Sequence, residues 1–249
     1  MRLAIAQTHP VRGDITANLA HHLHWVAQAV QLEADAVIFP ELSLTGYEPA
    51  LAAKLAMLPT DACLEPLQRV ANRDRITIGV GMPIRYPGGI CISLVLWHPQ
   101  AARQVYTKQY LHSDEVPFFV SGHNSTGVLA TAPQVAVAIC YELSVSAHVQ
   151  SAVQQGADIY LASVAKSAAG VSQAHQRLQA IAQQHALTTI MVNCVGPCEE
   201  FASAGGSAIW DERGQCLAQL DCTHEGILLL DTETHQVCVL NQSGNAAQL

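Results

Sequence analysis

Residues 134–144 read QVAVAICYELS. The alternating, largely β-branched run through Ile139 has the composition of a buried strand. It ends on a thiol, Cys140, and a segment with helical spacing follows from about 144 to 155. A cysteine at a strand-to-helix handover stands at the edge of a sheet. It faces the first N–H groups of the next turn, which lack partners of their own. A helix start also favours negative charge, so this position is expected to assist a thiolate.

The same alternation extends on both sides. Strands are expected at 3–7, 34–40, 75–84, 90–98, 102–108, 127–132, 157–165, 188–196, 205–211, 215–221 and 225–231. Helices are expected at 16–32, with Leu19, Leu23, Val26, Ala27 and Val30 on the apolar face, and at 171–186. Residues 50–73 read as helix broken near Pro59 and Pro66, and the chain from about 238 reads as an extended tail. Helices alternate with strands at both ends, and strands run in succession in the middle. That order predicts an α/β fold of sheets covered by helices, built as one domain over 1–249.

Composition narrows the function classes. Half of the 249 residues are hydrophobic and 13% are charged, against about 25% in a typical soluble domain. Much of the chain must therefore be buried, in layered sheets or in a subunit interface. The net charge is −8 with no basic run, which argues against nucleic-acid binding. No apolar run reaches the ~18 residues of a membrane span. The opening MRLAIAQTHP reads as a strand rather than a leader. Eight scattered cysteines lack framework spacing, so a reducing cytoplasm with free thiols is expected. Cys91, Cys194, Cys216 and Cys238 fall on apolar strands and should be shielded; Cys63, Cys198 and Cys222 lie nearer turns.

The chain has three lysines, Lys54, Lys108 and Lys166, and Lys108 closes a strand. Glu41 follows the strand ADAVIFP in the same topological position, as Cys140 follows QVAVAI. In open α/β sheets, functional groups collect at the carboxyl ends of strands. A thiol needs a base to become a nucleophile. A carboxylate can take its proton, and an ammonium with a backbone N–H can hold the oxyanion that attack creates. Glu41, Lys108 and Cys140 would suffice for acyl transfer with no metal and no cofactor.

Three stretches, FPELSLTGYEP (39–49), YTKQYLH (106–112) and VAICYELS (137–144), resemble in order and spacing the signatures of the nitrilase, or carbon–nitrogen hydrolase, superfamily. The opening LAIAQTHPVRGDITANL and the late strands 205–231 resemble that family's termini. The resemblance implies a four-layer α-β-β-α sandwich, often a homodimer or larger homo-oligomer. It implies Glu41 as general base, Lys108 as oxyanion-stabilising cation and Cys140 as nucleophile. Glu115, with Asp114 as its competitor, matches an accessory carboxylate, and the Tyr141 N–H a second oxyanion donor. Tyr47 matches a position near the pocket, and Val164 stands where many members carry an aromatic. Ser144, Ser146 and Ala147 replace the Arg and Pro-Glu pair common after the cysteine. The implied substrate is a small amide or N-carbamoyl compound, cleaved through a cysteine thioester. An acyltransferase using the same thioester, a true nitrilase and a non-catalytic binding member remain as alternatives.

Other features weigh less. HHLH (21–24) reads as a polar helix face rather than a metal site. His112 and His123 flank the Glu115 loop and are candidates to line an entrance. Gly81, Gly205 and Gly206 carry no phosphate-loop spacing.

Overall fold

A computed structural model of the chain describes residues 1–122, 128–129, 132–241 and 246–248. Its strands begin with β1 (Arg2–Gln7), β2 (Ala36–Ile38), β3 (Thr77–Tyr86), β4 (Gly89–Trp97) and β5 (Gln104–Thr107). They continue with β6 (Val128–Leu129), β7 (Val135–Ile139), β8 (Ile159–Val164), β9 (Thr188–Asn193), β10 (Val195–Pro197) and β11 (Ala202–Ala204). The last five are β12 (Ala208–Trp210), β13 (Cys216–Gln219), β14 (Gly226–Asp231), β15 (Val237–Asn241) and β16 (Ala246–Gln248). The α-helices are α1 (Ile15–Gln31), α2 (Ala52–Leu55), α3 (Glu65–Asp74), α4 (Ser146–Gln154) and α5 (Ala168–His185).

Among the described residues the strands form two large sheets and a small β10–β11 ribbon. One sheet has the order β16-β15-β14-β1-β2-β3-β4-β5, the other β13-β12-β9-β8-β7-β6. The centres are parallel, β1 with β2 and β3, and β7 with β8 and β9; the flanks are antiparallel. Side chains alternate across a strand, and three apolar layers follow. Leu3, Ile5, Leu94, Val137, Leu161 and Val192 meet between the sheets. Ala4, Val37, Ile78 and Trp97 turn outward against Trp25 and Val26 of α1 and Leu67 of α3. Tyr160, Ala162 and Val164 turn the other way, against Val149 of α4 and Leu178 and Ile181 of α5. The result is the expected four-layer sandwich.

Helix boundaries follow local chemistry. Asp14 caps α1, accepting from the Ala17 N–H at 2.9 Å. Pro66 opens α3 rather than breaking it, since a first-turn residue needs no N–H donor. The expected face of α1 packs on the core through Leu19, Leu23, Val26 and Val30, but Ala27 is exposed and Asn18, His22, Trp25 and Ala29 are buried as well. Polar partners explain the two buried polar residues. His22 Nδ1 lies 2.6 Å from the Asn18 carbonyl and its Nε2 lies 2.9 Å from Ser43 Oγ. Burial lowers the His22 pKa to about 4, so a neutral imidazole fills an inner position that charge would forbid. The expected tail is also corrected: Val237–Asn241 pairs with β14, and Ala246–Gln248 with β15.

Two links fix one sheet on the other, one near the ends of β2 and β8 and one between the end of β1 and the start of β12. Ser163 Oγ donates to the Phe39 carbonyl at 3.0 Å. Gln7, fully buried, donates to the Asp221 and His224 carbonyls and accepts from the Ser207 N–H at 3.0 Å. Within the first sheet, Gly81 makes room for the chain leaving β2. A Cβ there would stand 2.3 Å from the Pro40 carbonyl oxygen and 2.5 Å from the Leu42 nitrogen. The obstruction is backbone and cannot rotate away. Gly81→Ala is therefore expected to cost about 1–3 kcal/mol by overpacking, lowering the melting temperature and displacing Glu41. A melting temperature equal to that of the parent protein would show that the 40–42 segment yields freely.

Candidate active site

Glu41, Lys108 and Cys140 stand just beyond the carboxyl ends of β2, β5 and β7. The first two come from one sheet and the third from the other. The backbone turns sharply at two of these points. Leu42 has φ 51 and Cys140 has φ 46, a left-handed conformation that costs a non-glycine residue about 1 kcal/mol or more. At Cys140 this turn stops β7 and swings the thiol out of the strand line, a backbone shape like the strand-to-helix elbow of α/β hydrolases. The segment that follows, Cys140–Ser144, is a single 3-10 turn; α4 begins only at Ser146. The helix-start assistance expected from the sequence is thus reduced to the unpaired N–H groups of a short turn.

The Lys108 ammonium is completely buried. It donates to Glu41 Oε1 at 2.8 Å and to Glu115 Oε1 at 2.6 Å. Glu115 is itself held by the Tyr47 hydroxyl at 3.1 Å and the His112 N–H at 2.8 Å. Asp114 instead faces His112 Nδ1 at 2.5 Å, on the exposed side of the loop. Of the two carboxylates left open by the sequence, Glu115 is the one brought to Lys108. Burial opposes the Lys108 charge, but Glu41, Cys140 and Glu115 outweigh it and its pKa is raised. Glu41 is raised to about 7, first by burial and then by the Glu115 charge, against the pull of Lys108. Its second oxygen, Oε2, is buried and has no hydrogen-bond partner among the described residues.

The Cys140 sulfur is partly buried and 4.0 Å from the Ala165 carbonyl oxygen. Burial, followed by the Glu41 charge, pushes its thiol up to about 11, although Lys166 and Lys108 pull the other way. The resting sulfur is therefore protonated near neutral pH, contrary to the thiolate that its position in the sequence suggested. It is close enough to Glu41 for the thiol to favour that carboxylate.

A carboxylate that sequence reasoning missed holds the Lys108 and Cys140 segments together. Glu142 is fully buried. It accepts from the Gln109 N–H at 2.6 Å, the Ile139 N–H at 2.7 Å and the Tyr106 hydroxyl at 2.8 Å. The Tyr106 hydroxyl also meets His148 Nε2 at 2.8 Å, and His148 Nδ1 meets the Tyr160 hydroxyl at 2.8 Å. The only signal was a Glu two residues past the cysteine; beyond Ile139, its partners Tyr106 and Gln109 lie more than thirty residues away.

Cys140 opens on a cavity of about 370 Å³ lined by residues that include Tyr47, Glu115, Tyr141, Lys166 and Phe201. That is the scale of a small-molecule site. His112 and Tyr141 meet edge to face, ring centroids 5.3 Å apart, and both line it. Tyr47 packs on Phe201 at 5.6 Å. Val164 is not on this wall: it is fully buried in the layer under α4 and α5, and the alternation of β8 gives the cavity Ala165 instead. His123 lies outside the described residues.

The other cysteines depart from expectation in two places. Cys216 is exposed because β13 is an edge strand, and Cys198 is buried beside Cys194. The HHLH residues diverge, with His22 inside and His21 3.2 Å from Glu225. Among the described residues no group of three or more potential metal ligands comes together.

Comparison with known proteins gives the family of the chain. The model of the carbon-nitrogen hydrolase family matches residues 2–237. An (R)-stereoselective amidase from Pseudomonas sp. is 26% identical over 219 residues, covering 87% of this chain and 80% of its own. A glutamine-dependent NAD(+) synthetase from Thermotoga maritima is 24% identical over 244 residues, 94% of this chain but 42% of its own. Among solved structures, an amidase from Nesterenkonia sp. AN1 superposes with a TM-score of 0.85 at 26% identity, over 93% of this chain and 90% of that one. That structure carries an acetamide moiety on its active-site cysteine. Another structure of the same amidase, a variant at 25% identity and TM-score 0.85 over 94% and 92% of the chains, holds butyramide. This chain belongs to the carbon-nitrogen hydrolase family, within the nitrilase superfamily.

Proposed function

We propose that the protein hydrolyses a small amide through a thioester on Cys140, releasing ammonia or an amine. Glu41 Oε2, without a hydrogen-bond partner among the described residues, carries this reading. A buried carboxylate oxygen left without a donor is costly, and a thiol proton is the partner it lacks. The similarity to proteins named as amidases favours an amide over a nitrile.

Cys140 Sγ attacks the carbonyl carbon as its proton passes to Glu41 Oε2. The oxyanion is held by Lys108 Nζ and the Tyr141 N–H. On collapse the C–N bond breaks, and Glu41 returns the proton to the leaving nitrogen. Water then adds to the thioester carbon with Glu41 again taking a proton. The C–S bond breaks, the thiolate recovers that proton, and a carboxylic acid leaves. Glu115 keeps Lys108 in place and biases Glu41 toward the protonated form. No step calls for a metal or cofactor.

Subunit association belongs to the same reading. Charge is sparse, and Val116 (61% exposed) and Phe118 (41%) lie on the loop beyond Lys108. A homodimer or larger homo-oligomer is expected, and a monomeric mass by light scattering at active concentrations would contradict it.

Ammonia release from a panel of short amides should be abolished in Cys140→Ala and reduced at least a hundredfold in Glu41→Gln, with both variants folded by circular dichroism. Turnover by folded Cys140→Ala would end the proposal. The pH profile tests the base. Glu41 must be ionised in the free enzyme, and it is raised to about 7, so kcat/KM should rise with pH through an acidic limb near 7. The Glu115 charge raises Glu41, so Glu115→Gln should move that limb to lower pH. A stationary limb would mean that some other group titrates.

A further inference from the structure

Of the three lysines, Lys108 is engaged by two carboxylates and Lys54 lies on α2. Lys166 is on the cavity wall, in a chain of net charge −8. Its backbone is fixed with care. Its N–H donates to Asn193 Oδ1 at 2.9 Å, and its carbonyl accepts from Asn193 Nδ2 at 3.1 Å, Ser203 Oγ at 3.1 Å and the Ala204 N–H at 2.9 Å. Asn193 is fully buried, so these bonds are sheltered from competition with water. The side-chain stem runs along Gly170: a Cβ on that glycine would lie 3.4 Å from Lys166 Cβ, 3.6 Å from Cγ and 3.7 Å from Cδ.

The ammonium of Lys166 has neither a hydrogen bond nor an ion pair with the described residues. The other charged groups facing the cavity are engaged, Glu115 by Lys108 and Asp114 by His112. Lys166 also acts on the sulfur, favouring its thiolate form more strongly than Lys108 does. Beside it the wall offers the Ser167 hydroxyl, which makes no helix-capping bond, and the Gln173 amide. One free cation flanked by neutral polar groups matches one negative charge. It matches a carboxylate better than a dianionic phosphate, for which a second cation is missing among the cavity residues.

We infer that Lys166 is a specificity-determining residue: the cavity takes amides whose acyl portion ends in a carboxylate, the monoamides of short dicarboxylic acids. The inference rests on the amide-hydrolase reading only for the identity of the reacting group. A lysine stem held at a fixed wall and an ammonium without a partner among the described residues place a positive charge on the wall of the cavity that Cys140 opens on, the space an acyl chain bound at Cys140 would have to occupy. A dicarboxylic monoamide supplies its missing counter-ion without adding a charge at the reacting carbon.

The test is equilibrium binding to the Cys140→Ala protein, where no turnover interferes. The probes are succinamate and levulinamide, which have the same chain length and differ in bearing a carboxylate or a methyl ketone. By calorimetry, succinamate should bind on the order of tenfold more tightly, the scale of one charge-assisted contact at a partly open site, and the ratio should shrink as salt is raised. Adding Lys166→Met should bring the ratio near one, while Lys166→Arg should retain most of it. A ratio of one or less in the Cys140→Ala protein, or a ratio indifferent to Lys166→Met, would overturn the inference and leave Lys166 a solvated rim residue. Ammonia release by the unaltered protein separates the two readings. Cleavage of levulinamide without any preference for succinamate removes this inference and keeps the hydrolase. Charge-selective binding without cleavage of either amide does the reverse.

Discussion

The Lys108 ammonium, fully shut away from water between Glu41 and Glu115, is the constraint on which the site depends. An isolated charge in such a place would be several kcal/mol too costly to keep. The fold must therefore deliver two carboxylates to one nitrogen within hydrogen-bond distance. That demand explains features that otherwise look unrelated. Gly81 carries no side chain, so that the backbone around Glu41 can pass. The loop after Lys108 closes on itself through the Gly122 N–H and the Lys108 carbonyl, 2.7 Å apart, keeping Glu115 overhead. Two carboxylates against one ammonium leave an excess of negative charge, and it is this excess, added to burial, that raises Glu41 toward neutrality.

The positive-φ turn at Cys140 and the Glu142 carboxylate form the second half of the arrangement. The turn stores conformational cost, and Glu142 offsets it with hydrogen bonds from both neighbouring segments. Sulfur position and ammonium position are thereby fixed by one buried anion. The thiol rests protonated, and the Glu41 carboxylate stands beside it with an oxygen that has no hydrogen-bond partner among the described residues.

Much of the fold was legible because alternation and strand-end position are local properties. The strands before Glu41, Lys108 and Cys140 could be read from a few residues each, and the layer order follows from which residues alternate inward. What escaped depends on partners distant in sequence. Nothing near His22 announces Ser43, and nothing near Glu142 announces Tyr106. Gly81 could be seen as a glycine in a strand, but the chain it clears belongs to another strand. Val164 was placed by resemblance to relatives that bear an aromatic there; in this chain the strand's alternation turns it outward, away from the cavity. Cys216 and Cys198 show the same limit, since edge and interior positions in a sheet have similar local sequences.

Glu41 and Lys108 belong to one sheet and Cys140 to the other. Either sheet alone therefore carries half of the site. A newly made chain holds the segments of Glu41 and Lys108 well before that of Cys140, and the thiol meets the Glu41 carboxylate only when the inner faces close on the shared apolar layer. The three side chains therefore meet only across the closed interface, and their joint geometry is a product of the complete sandwich rather than of either layer.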